Sequence, residues 1–275
     1  MTPRLLIIAG SDSGGGAGVQ ADLKTAGAHG VYAATAITAV TVQDTRAVHA
    51  VHPVPPDVIA DQVRVVLDDI GADAVKIGML GGAEAGEAVL DALSGFDGPL
   101  VLDPVLVATS GDALGDEGVA RLIAERFVPR ASVVTPNLEE LARLTGQGGE
   151  APGDVETAAR ALLARGAGAV LAKGGHAREA TVTDLLVTEH AAARIEHPRQ
   201  DTRHTHGTGC TLASALAAGL ACGAGLERAA REAAGYVAAA IRHAPGLGQG
   251  HGPLQHALTR GEGGWAPVPA PLSQP

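Results

Sequence analysis

Thr205-His206-Gly207-Thr208-Gly209-Cys210-Thr211 is the stretch of the chain best equipped for chemistry. Two glycines and several hydroxyls run directly into a helical pattern, Leu212-Ala213-Ser214-Ala215-Leu216. The first N–H groups of a helix have no carbonyl one turn back to bond. The helix dipole adds partial positive charge at the same place, and glycine lets the backbone approach an anion without a Cβ in the way. The stretch can be read as an ordinary capped helix start, or as an anion hole for a phosphoryl group in flight. Cys210 stands where a proton acceptor would be placed, and a helix N-terminus is expected to lower a thiol's pKa.

The elements that would position this turn alternate along the chain. Leu5-Leu6-Ile7-Ile8-Ala9 reads as a buried strand, followed by a glycine-rich loop at 10–18 and a helix ending near His29-Gly30. Strands follow at about 31–42, 74–78, 99–103, 132–135 and 169–172, with helices at 57–70, 83–94, 116–126, after Pro136-Asn137, and at 154–165. Residues 181–188 and 193–197 look like a hairpin, and two Ala-rich helices, 209–222 and 226–243, complete the pattern. His49 and His52 flank one further, solvated strand. Wholly apolar strands alternating with helices predict an α/β fold, a mostly parallel central sheet covered on both faces. Ligands of such sheets bind beyond the carboxyl ends of the strands, which points to loops 10–18, 43–46, 103–112 and 173–176. Residues 1–260 read as a single domain, and 261–275, GEGGWAPVPAPLSQP, as a disordered tail.

Composition narrows the function. The chain has 275 residues, enough for one large α/β domain. Its net charge of -10 opposes general nucleic-acid binding. Only 2% of residues are aromatic, so base stacking on rings cannot dominate recognition. No apolar run reaches the ~20 residues a membrane span needs. Cys210 and Cys222 would lie about 18 Å apart on one helix, too far for a disulfide. A cytoplasmic protein is expected. Eleven histidines show no zinc spacing. Gly16-Ala17-Gly18-Val19-Gln20-Ala21 fits the dinucleotide pattern G-x-G-x-x-A, with Asp44 at the end of the next strand, but that reading leaves the turn at 206–210 unexplained. No G-x-x-x-x-G-K-[ST] is present, which excludes a P-loop.

Several segments carry a family resemblance. THGTGC (205–210) resembles the anion-hole signature of the ribokinase superfamily, with Cys where most members place Asp. AGSDSGGGAGVQADLKT (9–25), TAVTVQDT (38–45), VKIGML (75–80), VLDPV (101–105), TPNLEEL (135–141) and KGGH (173–176) follow in the order seen in hydroxymethylpyrimidine/phosphomethylpyrimidine kinases of thiamine biosynthesis. The similarity covers about residues 5–250. It implies a three-layer ribokinase-like fold, ATP as donor, Mg²⁺ and a homodimer. It also implies roles: Gly207, Thr208, Gly209 and Cys210 in catalysis; Asp22, Gln43, Gly10, Met79 and Val105 on the pyrimidine; Lys173, His206 and Asn137 near the nucleotide; Glu140 and Asp103 at the metal. Read without the family, Asp22 is a solvated helix residue, Met79 core, Lys173 a surface lysine, and Asn137 with Glu140 a capping box. A pyridoxal or pyridoxine kinase of the same fold and a non-catalytic pyrimidine sensor remain the alternatives.

Overall fold

The computed structural model describes residues 1–106, 117–149, 151–174, 180–261 and 263–268. β1 (Arg4–Asp12) begins the sheet and alternates strictly, Leu6 and Ile8 facing one side, Leu5, Ile7 and Ala9 the other. α1 (Gly18–Ala28) returns the chain to β2 (Tyr32–Gln43), parallel to β1. β3 (Val48–Pro53) folds back antiparallel at the edge; His49 and His52 lie within it, exposed. α2 (Pro56–Asp69) then crosses to β4 (Ala74–Ile77) on the other side of β1. α3 (Ala83–Ala92), β5 (Leu100–Leu102), α4 (Glu117–Leu122), β6 (Val133–Val134), α5 (Leu138–Thr145), α6 (Pro152–Leu163) and β7 (Ala169–Ala172) extend the parallel sheet. The helix expected over 116–126 passes into a π turn at Ile123–Phe127 and a 3₁₀ turn at Val128–Arg130, where Pro129 removes a donor.

β8 (Thr181–Thr188) and β9 (Ala192–Pro198) add the expected antiparallel hairpin, and α7 (Thr208–Ala221) and α8 (Leu226–Arg242) cover the sheet. The nine strands run in the order β3-β2-β1-β4-β5-β6-β7-β8-β9. One core lies between the sheet and α2 to α6, the other between the sheet and α1, α7 and α8. Ala dominates the second core, so α7 and α8 pack close to the strands.

One expectation is corrected. The segment read as a disordered tail from 261 contributes to a hairpin, β10 (Leu258–Gly261) with β11 (Gly264–Pro267). Trp265 anchors it, with ring centroids 4.8 Å from His29 and from Tyr236. A large aromatic has enough apolar surface to hold a Gly/Pro-rich segment in place. Among the described residues no helix is long and apolar enough to cross a membrane.

Candidate active site

The chain passes from β1 to β2 on one side and then to β4 on the other, so a crevice opens at the carboxyl ends of β1 and β4. A cavity of about 580 Å³ occupies it. Gly10, Gln43, Met79 and Val105 line one part, Asp103, Asn137, Glu140 and Lys173 another, and His206, Gly207, Thr208, Gly209 and Cys210 lie between. The cavity continues along an apolar wall of Val182, Pro198, Val237, Ala238 and Ile241. Of the loop expected at 103–112, the part after Leu106 lies outside the described residues.

The acceptor side is built on the end of β1, which runs further into the glycine-rich loop than expected, through Asp12. The buried Asp12 carboxylate accepts N–H groups from Gly14, Gly16 and Ala17 at 2.8–3.0 Å, and Nε2 of His206 at 2.8 Å. Burial alone would raise its pKa; the bonds from His206 and the loop amides outweigh that and hold it below the usual carboxylate range. Gly18, with φ +55°, passes so close to Gly10 O that a Cβ would overlap it. Gln43 ends β2, its Oε1 accepting from Thr41 Oγ1 at 3.2 Å, and Met79 Sδ lies 3.1 Å from where a Cβ on Gly10 would stand. Both residues line the cavity.

Asp22 does not. It is fully buried beneath the cavity, where Oδ2 accepts from Lys76 Nζ at 2.7 Å and Oδ1 from Ser214 Oγ at 2.7 Å. Neither the expected pyrimidine contact nor a solvated carboxylate is realised. A charge at this depth must be paired, and Lys76 pairs it. Lys76 carries a signal that could have been read: a lysine in the middle of the apolar strand Ala74-Val75-Lys76-Ile77. Its own pKa is pulled by burial downward and by Asp22 and Cys210 upward, and upward wins.

α7 begins at Thr208, and Gly207 caps it at φ +81°. Any Cβ on Gly207 would overlap the carbonyl of Gly16, so only glycine serves there. Thr208 Oγ1 donates to Thr205 O at 2.6 Å. The amides of Gly209 and Cys210 belong to the first helical turn, at the cavity, as an anion hole requires. The Cys210 thiol departs from expectation. Burial pushes its pKa up to about 11, against the favourable pull of Lys76 and the Gly18 N–H. Desolvation here exceeds the helix-end effect, so the thiol is neutral at pH 7.

The other side carries buried charge. Lys173 Nζ donates to Asp103 Oδ1 at 2.8 Å and stands 3.6 Å from Glu140 Oε2. Thr135 Oγ1 adds a second contact to Asp103 at 3.2 Å. Burial lowers the Lys173 pKa, but Asp103 and Glu140 raise it more. Burial raises that of Glu140, countered by Lys173. Asn137 and Glu140 do form a capping box: Asn137 Oδ1 accepts from Glu140 N, and Asn137 N donates to Glu140 Oε2, both at 2.8 Å. The structural role and the place in the cavity coexist. Asp103 and Glu140 are hard oxygen donors, and no group of three acidic, His or Cys ligands exists among the described residues. Two carboxylates beside a lysine fit a cation that keeps most of its waters, as Mg²⁺ does.

His206, expected near the nucleotide, lines the cavity with its Nε2 bonded to Asp12. Asp12 itself escaped the sequence reading because it sits among serines and glycines of a loop; nothing local marks it as the hub.

Sheet, crevice and glycine turn together define a ribokinase-like small-molecule kinase. Residues 12–255 match the profile of the family described as phosphomethylpyrimidine kinase. A hydroxymethylpyrimidine/phosphomethylpyrimidine kinase of Streptomyces coelicolor is 47% identical over 260 residues, 94% of this chain and 96% of that one. The Bacillus subtilis protein of the same description is 44% identical, covering 92% and 94%. The chain belongs to the phosphomethylpyrimidine kinase family. Among solved structures, a Bacillus subtilis pyridoxal kinase with ADP superposes with a TM-score of 0.87 at 35% identity, covering 94% of this chain and 98% of that one. A phosphomethylpyrimidine kinase from Clostridium difficile gives 0.77 at 34% identity, covering 88% and 100%.

Proposed function

We propose that the protein transfers the γ-phosphoryl group of ATP to the hydroxymethyl oxygen of 4-amino-5-hydroxymethyl-2-methylpyrimidine, and then a second phosphoryl group to the resulting monophosphate, in thiamine biosynthesis. The observation that carries this reading is the meeting of the acceptor loop and the glycine turn around Cys210 in one cavity. The pyrimidine packs on the surface that Gly10 and Met79 form together, with Gln43 reading its amine and ring nitrogen, since an amide both donates and accepts. The adenine lies along the apolar wall of Val237 and Ile241, and Lys173 meets the phosphates. Mg²⁺ held through water by Asp103 and Glu140 would neutralise charge on those phosphates.

Transfer of this kind is mostly positioning and charge stabilisation. The amides of Gly209 and Cys210 receive the charge of the moving phosphoryl group. In the first step the new O–P bond forms as the bond to ADP breaks, and the hydroxyl proton leaves late, to an oxygen of the transferred phosphoryl group. In the second step the acceptor is an anionic phosphate oxygen. A carboxylate at 210 would repel it; a neutral thiol does not. Cys210 thus suits two acceptors of different charge.

The test is ATP turnover with hydroxymethylpyrimidine, its monophosphate and pyridoxal side by side. Turnover with both pyrimidines and formation of the diphosphate support the reading. Turnover with pyridoxal alone would replace it by the pyridoxal kinase reading, which the likeness to pyridoxal kinase structures favours. Binding without turnover would leave a sensor.

A further inference from the structure

We propose that Asp12 and His206 are a positioning pair that locks the acceptor loop to the anion-hole turn, so that acceptor oxygen and phosphoryl group meet at reacting distance. The inference rests on the kinase reading above but concerns residues to which that reading gives no task.

The two side chains are 194 residues apart in sequence and 2.8 Å apart in space. Both are buried, at 3% and 6% exposure. A carboxylate offers about four good acceptor directions, and Asp12 receives four donors: three amides of its own loop and His206 Nε2. The loop is thereby closed into one rigid body with an imidazole as its fourth side. His206 is held from behind as well, its N–H donating to Gly252 O at 3.1 Å and its backbone bridging Pro253. The next residue is Gly207, which touches the carbonyl of Gly16 in the same loop and caps α7. Three residues further on, the Gly18 N–H faces the sulfur of Cys210. Acceptor loop and anion hole are joined at three successive points: 12 to 206, 16 to 207 and 18 to 210.

Such a joint has a kinetic purpose. A misplacement of about 1 Å between reacting groups can cost on the order of 10²-fold in rate. The acceptor is positioned by β1 and β2, the phosphoryl hole by α7, and these elements reach the site independently. The Asp12–His206 bond makes their spacing a property of one hydrogen-bonded unit.

The experiment compares His206→Leu, which lacks a donor, with His206→Gln, which keeps one. For both, kcat and KM are measured with the alcohol and with the monophosphate, and amide exchange is followed at Gly14, Gly16 and Ala17. His206→Leu should lower kcat about 10- to 100-fold on both acceptors, with KM for pyrimidine and ATP within about threefold, and exchange at the three amides should quicken. His206→Gln should recover most of kcat and of the protection. Equal losses in the two variants, or a raised KM for ATP with unchanged kcat, would overturn the proposal, the latter by showing His206 to be a nucleotide contact. Unchanged exchange in His206→Leu would overturn it regardless of activity. If the unmutated protein turns over neither pyrimidine, the kinase reading fails and the exchange data alone decide the joint.

Discussion

The two walls of the cavity are made of different chemistry. The acceptor wall offers backbone amides, one side-chain amide and one sulfur, and its single carboxylate, Asp12, is turned inward to tie its own loop. The donor wall alternates charge: Lys173 Nζ lies 2.8 Å from Asp103 and 3.6 Å from Glu140. A neutral ring with a few polar atoms is read by hydrogen bonds and shape; a polyanion with its cation requires fixed charge. The walls differ because their ligands differ.

Lys173→Met should expose that contrast most strongly. It leaves Asp103 and Glu140 buried without their cation, which costs about 3–5 kcal/mol in stability, read by urea unfolding, and activity should fall on the order of 10²–10³-fold. If stability and rate both hold, the donor wall does not work by charge. Cys210→Asp brings the donor wall's chemistry to the junction. It should depress phosphorylation of the monophosphate about 10- to 100-fold more than that of the alcohol, as a carboxylate a few ångströms from an anionic acceptor repels it by a few kcal/mol at most. Equal effects on the two acceptors in a competition assay would sink the charge argument. In the unmutated protein, iodoacetamide should modify Cys210 slowly near pH 8 and faster only toward the pKa of about 11.

Smaller effects belong to the acceptor wall and to the scaffold. Gln43→Ala should raise KM for the pyrimidine about tenfold, the worth of one hydrogen bond in a dry site, while KM for ATP stays put. A shift in both constants would blur the division between walls. Asn137→Ala removes one half of the capping box and should cost about 1 kcal/mol in a thermal melt, with the Asp103–Lys173 contact intact.

Much of this could be read from the sequence, for reasons that differ by region. Apolar strands such as Leu5-Leu6-Ile7-Ile8-Ala9 announce themselves because both faces of the sheet are covered. The turn at Gly207 is legible because a left-handed cap demands glycine. Burial is what the linear chain conceals. Asp22 looks like a polar position on a helix until Lys76 and Ser214 are brought to it from distant segments. Cys210 looks activated by its helix end until the desolvation around its sulfur is weighed. Asp12 is invisible as a hub because its most distant partner comes from the far end of the chain. Trp265 looks like part of a loose tail because its neighbours are Gly and Pro, yet ring contacts with His29 and Tyr236 decide its place.

That tryptophan has an optical consequence. It is the chain's only one, and it sits edge-on to Tyr236, 4.8 Å between centroids, on the hairpin that closes over α1 and α8. Intrinsic emission therefore reports a single event, the seating of the last hairpin, with Tyr236 as a built-in energy donor. Nucleotide and pyrimidine, bound at a cavity that Trp265 does not line, would leave that signal almost dark to them, whereas the peeling of a few C-terminal residues would light it up.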